Sequence, residues 1–95
     1  MSVFMIAELT IKNRELYTDY VNKARSIIEG YGGRYLVQSE KIESIAGGWK
    51  PERIVAIEFP TFDALKQCFT STEYKEIAPM REDSTTSRAI IVHGN

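Results

Sequence analysis

Apolar and polar positions alternate at some places along the chain and recur every three to four residues at others. This change of period divides it into elements. Val3 to Ile11 is a β-rich run. Asn13 then offers a helix N-cap, and Glu15 in the first turn suits the helix dipole. Tyr17, Tyr20, Val21, Ala24, Ile27, Ile28 and Tyr31 follow at helical spacing, which predicts one amphipathic helix. Gly30, Gly32 and Gly33 stop it, as residues tolerant of positive φ. Arg34 to Glu40 reads as a second strand, which Ile42 to Ile45 extends as a short arm. Ala46 to Pro51 is turn chemistry, and Pro51 is unsuited to a central strand. Arg53 to Phe59 is a third strand, closed by Pro60. Thr61 caps a short helix with Phe62, Leu65, Cys68 and Phe69 on one face. Ser71 or Thr72 restarts a helical stretch carrying Tyr74, Ile77 and Ala78, which Pro79 bends or ends. Polar residues from Glu82 to Ser87 lead to a last strand, Arg88 to His93.

The order β-α-β-β-α-β is the split βαβ arrangement. It predicts an α+β, ferredoxin-like fold with a four-stranded antiparallel sheet. Helices cover one face, and the strand order is fourth, first, third, second. Strand parity assigns Val3, Met5, Ala7, Leu9, Tyr35, Val37, Val55, Ile57, Phe59, Ile90 and Val92 to the helix side. The opposite face receives Phe4, Ile6, Glu8, Arg34, Leu36, Gln38, Ile54, Ala56, Glu58, Ala89, Ile91 and His93. The apolar centre of that second face, with Phe4, Ile6, Leu36, Ile54 and Ile91, is too large to leave in water. Two such sheets packed face to face predict a twofold homodimer.

Ninety-five residues suit one domain, residues 1–95, with a thin core that an oligomer interface would reinforce. Apolar content of 43% and charged content of 26% argue against disorder. A net charge of −1 offers no basic field for nucleic acid or anionic lipid. Glu8 interrupts the apolar start, and no run approaches the roughly 20 residues of a membrane span. No membrane partner is expected, and a cytoplasmic location is the default. The lone cysteine, Cys68, allows no intrachain disulfide and no cysteine-rich metal site. It reads as a small core residue on an apolar helix face.

The candidate chemistry is sparse. Glu58, His93 and Arg34 are expected together at one end of the mixed face, around Phe4. There they are candidate catalytic residues able to bind an acidic metabolite or move a proton. The plain alternative is a cross-strand Arg34–Glu58 ion pair at the rim, with His93 in solvent. Tyr17, Tyr20, Tyr31 and Trp49 are the aromatic residues placed to line a pocket between helix and sheet, or else ordinary core; Tyr17, Tyr20 and Trp49 are retained as substrate-binding candidates. Trp49 is expected to pack on a partner subunit or cover a barrel mouth. Arg81 and Arg88 flank the last loop, where they clamp an anion or are simply solvated; Arg81 is retained as a substrate-binding candidate. Gly30 to Gly33 follows a helix and precedes a strand, the reverse of a phosphate cradle. One histidine and scattered carboxylates give no metal signature, and no cofactor is expected.

The segments Tyr31-Gly32-Gly33-Arg34-Tyr35-Leu36-Val37, Gly48-Trp49-Lys50-Pro51-Glu52-Arg53 and Ile57-Glu58-Phe59-Pro60 form a specific pattern. Ser71-Thr72-Glu73-Tyr74, Arg81 and the closing Ile91-Val92-His93-Gly94 continue it. Over nearly the whole chain this resembles the domain of unknown function numbered thirteen-thirty, a family of the dimeric α+β barrel superfamily. The resemblance implies a ferredoxin-like fold and a dimer whose sheets form a shared barrel. It implies no established activity, because the family is named for lacking one. Related families include cofactor-free monooxygenases, muconolactone-type isomerases, haem-dependent enzymes and small-molecule sensors, and fold does not choose among them. A haem held by His93 rests on that analogy alone. Two functions remain: a small-molecule enzyme performing cofactor-free proton transfer or oxygenation in a pocket between sheet and helices, or a non-catalytic dimeric ligand sensor.

Overall fold

Three short polar side chains start the helices of the computed structural model, which describes residues 1–95. Asn13 Oδ1 accepts the Leu16 N–H at 3.1 Å, Thr61 Oγ1 the Ala64 N–H at 3.0 Å, and Ser71 Oγ the Tyr74 N–H at 3.1 Å. Each satisfies a donor that the first helical turn leaves without an intrahelical partner. They open α1 (Arg14–Gly30), α2 (Phe62–Phe69) and α3 (Thr72–Ser84). The strands are β1 (Val3–Ile11), β2 (Arg34–Ser39), β3 (Arg53–Phe59) and β4 (Thr85–His93). They form one antiparallel sheet in the order β2-β3-β1-β4. The fold is the expected ferredoxin-like α+β, with its second helical segment divided at Thr70 and Ser71.

Local chemistry corrects several boundaries. Pro79 does not end α3, which continues to Ser84. The lost N–H bond is offset by anchoring of the last turn. Ser84 and Thr85 hydroxyls donate to the Arg81 carbonyl at 3.3 and 2.7 Å, and the Lys12 and Asn13 N–H groups bond the Ser84 carbonyl. Helix therefore runs directly into strand, and residues 85–87 belong to β4 instead of a polar loop. Residues 42–45 do not extend β2, and Ile45 is fully exposed. At the end of α1 only Gly32 needs its positive φ of 91°. Gly33 is required for space: a Cβ there would lie 2.9 Å from the Ile28 carbonyl oxygen and 3.0 Å from the Phe59 ring.

Register decides which side chains share a face, because directly opposed residues of an antiparallel pair point the same way. β1 and β3 obey the sequence parity: Val3, Ala7, Leu9, Val55, Ile57 and Phe59 are buried under the helices. β4 does not. His93 pairs with Val3, Ile91 with Met5 and Ala89 with Ala7, so these three face the helix side. Ile90 and Val92, opposite Ile6 and Phe4, lie on the open face. Half of β2 also inverts. A bulge between Tyr35 and Val37 leaves Leu36 without a partner, turns Val37 to the open face beside Ala56, and brings Gln38 to the helix side beside Val55. No helix is long and apolar enough to cross a membrane.

Candidate functional site

The helices do not cover the sheet evenly. α1 and α3 lean together where the Tyr20 and Tyr74 hydroxyls meet at 2.7 Å, and β4 is exposed from Thr86 to His93. Beneath the helices this leaves a cavity of about 460 Å³ that reaches from Tyr35 and Gln38 on β2 to Ala89 and Ile91 on β4. Its volume lies within the range of small-molecule sites, about 300–1,000 Å³. Most of the wall is hydrocarbon or aromatic ring, including Met5, Leu9, Ile28, Val55, Ile57 and Phe69. One polar line crosses it. Tyr74 bonds Tyr20, and Arg81 Nη1 donates to the Tyr74 hydroxyl at 3.4 Å.

Of the residues singled out from sequence, Tyr17, Tyr20 and Arg81 line this cavity. Trp49 does not: its indole N–H donates to Glu8 at 3.2 Å across the open sheet face, beside Ile6, Ile54 and Arg88. Arg88 pairs with Glu8 on that same face, so it cannot clamp an anion together with Arg81. The expected trio is divided. Arg34 and Glu58 share the open face and bond at 2.6 Å, with the Arg34 side chain 73% exposed. His93 lies on the opposite, helix side, its ring stacked on Phe62 at 5.8 Å. The continuous apolar run from Ala89 to Val92 explains the error, since such a run carries no alternation from which to read parity. Sequence reasoning missed Tyr74, Lys75, Tyr35 and Gln38 as cavity residues. The first had a readable signal, because Tyr74, Ala78 and Arg81 stand four and three apart on one helical face.

The family decides what the chain is similar to as a whole. Residues 2–95 match the family described as Domain of unknown function (DUF1330). The chain belongs to the DUF1330 family. Comparison with curated protein sequences finds no match. Among solved structures, the DUF1330 chain is similar to a protein of unknown function from Rhodopseudomonas palustris. The TM-score is 0.83 at 17% identity, over 99% of this chain and 82% of that one. It is also similar to SnoaB, a cofactor-independent oxygenase from Streptomyces nogalater, with a TM-score of 0.74 at 9% identity, over 99% and 93% of the two chains. A dimeric ferredoxin-like protein of unknown function from Jannaschia sp. CCS1 aligns with a TM-score of 0.68 at 11% identity, over 99% and 100%. At these identities the likeness establishes the fold.

In the DUF1330 chain the titratable groups separate by face. Burial pushes the Tyr20 and Tyr35 hydroxyls well above the ordinary tyrosine value, so on the cavity side they remain protonated. Burial raises the Cys68 thiol to about 11, which keeps it an unreactive core group. No cluster of three or more His, Cys, Asp or Glu side chains forms. Outside the cavity the hydrogen-bonded guanidinium of Arg88 lowers the Glu8 carboxyl, that of Arg14 lowers Glu40, and that of Arg34 lowers Glu58. A carboxyl whose folded value is depressed contributes stability above its unfolded value and loses it as pH falls through the folded one. Melting temperature should therefore hold above pH 4.5 and decline below it as these three carboxylates take up protons. Glu58→Gln should remove part of that acid dependence; an unchanged acid limb in the variant argues against the Arg34–Glu58 contribution.

Proposed function

We propose that this single-domain chain works as a cytoplasmic homodimer, closed through its open sheet face, that binds a small molecule with an apolar body beneath α1 and α3. It acts on that molecule by proton transfer or oxygenation without a bound cofactor. The observation that carries the reading is the apolar cavity crossed by the Tyr20–Tyr74–Arg81 line. Protonated hydroxyls and a guanidinium stabilise negative charge on a bound oxygen, the charge that develops when a substrate becomes an enolate or phenolate. Dioxygen is the co-substrate of the oxygenation form. A fold shared with a cofactor-independent oxygenase supports this version. Tyr17, Tyr20 and Arg81 are its substrate-binding residues. Arg34 and Glu58 serve the rim of the dimer interface in this reading, and Trp49 packs toward the partner.

A second reading, a non-catalytic ligand sensor, is favoured by one specific feature: no aspartate, glutamate or histidine lines the cavity. The first reading therefore requires a substrate acidic enough to enter ionised. Thermal-shift screening with small aromatic compounds, followed by oxygen-consumption and product assays on each hit, separates the two. Turnover supports the enzyme, and stabilisation without turnover supports the sensor. A protein stabilised by none of the compounds removes both.

A further inference from the structure

The cavity holds more hydrogen-bond donors than acceptors. Tyr20 and Tyr74 share one hydrogen bond, and whichever hydroxyl donates, the other keeps a proton with no acceptor. Arg81 adds to the surplus. Its Nε is the one buried side-chain polar atom without a partner, and its contact with Tyr74 is long at 3.4 Å. Its only carboxylate neighbour, Glu82, stands 3.8 Å away, beyond hydrogen-bond reach. The other arginines are better served. Arg14, Arg34, Arg53 and Arg88 each hydrogen-bond a carboxylate, and Arg25 bonds Gln38 at 2.8 Å. A buried guanidinium N–H left without an acceptor is destabilising, because the water it lost is not replaced. Such a group persists where something outside the chain completes it.

The charges of the wall agree. Lys75 and Arg81 are its only charged side chains, and both are cations, although acidic residues outnumber basic ones by 13 to 12 in the chain. The location of Arg81 is fixed by backbone anchoring, since the Ser84 and Thr85 hydroxyls both bond its carbonyl. Around this cationic end the wall is aromatic. Tyr17 lies 6.1 Å from Tyr20, Tyr20 lies 6.3 Å from Tyr74, and Phe69 meets Tyr74 edge-on at 4.9 Å.

We infer that the cavity takes an aromatic acid: a planar apolar body among the tyrosine rings, and one ionised oxygen group held by Arg81 and the free tyrosyl proton. The inference rests on the reading of this cavity as a ligand site and adds the class of ligand. A carboxylate suits the guanidinium best, because two oxygens match two adjacent N–H groups. Lys75, exposed on α3, contributes long-range attraction that salt screens.

The test compares 2-naphthoate with naphthalene-2-carboxamide, the same ring system without the charge, by calorimetric titration of the intact protein. The inference expects naphthoate to bind roughly 10- to 100-fold more tightly, the size of one charge-assisted contact, and to weaken with added salt. Arg81→Gln should abolish that preference, with circular dichroism reporting an intact fold; Arg81→Lys should restore part of it. Equal binding of the two compounds to the wild type, or a preference that survives in Arg81→Gln, overturns the acid inference and leaves the ligand site standing. Failure of both compounds to bind overturns the acid inference and the ligand site together.

Discussion

A lysine in place of Ile90 is expected to turn a dimer into a monomer without unfolding it. Ile90 is 60% exposed in the protomer and lies opposite Ile6 on the open face. Phe4, Ile54, Ala56 and Val92 continue the same apolar surface, and register changes what β4 contributes to it. It replaces Ala89, Ile91 and His93 with Arg88, Ile90 and Val92. Packed against a second copy, the patch leaves water. In a twofold interface each substitution acts twice. An unpaired ammonium in a dry interface costs several kcal/mol, and each 1.4 kcal/mol is tenfold in the dissociation constant. The dissociation constant should rise by more than about a thousandfold, seen by light scattering as a monomer at micromolar concentration. Circular dichroism of the variant should stay native, because an exposed side chain contributes little to the protomer's own core. A wild-type protein that scatters as a monomer at that concentration refutes the dimer.

Phe59→Ala should produce the largest loss of stability. Phe59 is wholly buried at the end of β3, its ring edge-on to Phe69 at 5.8 Å and against the backbone of Gly33. Deleting such a ring removes its transfer free energy and leaves a cavity that the neighbours fill only in part. The usual cost is about 3–5 kcal/mol. Small domains have only about 5–15 kcal/mol in total. The urea midpoint should fall steeply with an unchanged slope, and Phe59→Leu should recover much of the loss. An unfolding free energy within about 0.5 kcal/mol of wild type, the range of ordinary surface substitutions, contradicts the place given to this ring.

The sequence by itself determined the elements and their order. Helical spacing from Tyr17 to Tyr31, the caps Asn13, Thr61 and Ser71, and the alternation in β1 and β3 are local signals, and local hydrogen bonds and one-sided burial enforce them. It also determined that Arg34 and Glu58 share a face, because both lie in register before the bulge. Tertiary structure alone decided the parity of β4 and of the far half of β2. Ala89 to Val92 is apolar at every position, so hydrophobicity cannot say which side is up. Pairing with β1 settles it, and that register depends on α3 running past Pro79 and delivering the chain at Thr85. The bulge at Leu36 has no composition of its own to announce it. These two events separate His93 from Glu58 and place Gln38 and Ile91 in the wall of the cavity. The Tyr20–Tyr74 hydrogen bond joins residues 54 apart in sequence. No period within either helix encodes it, because it arises only when α1 and α3 pack on the same side of the sheet.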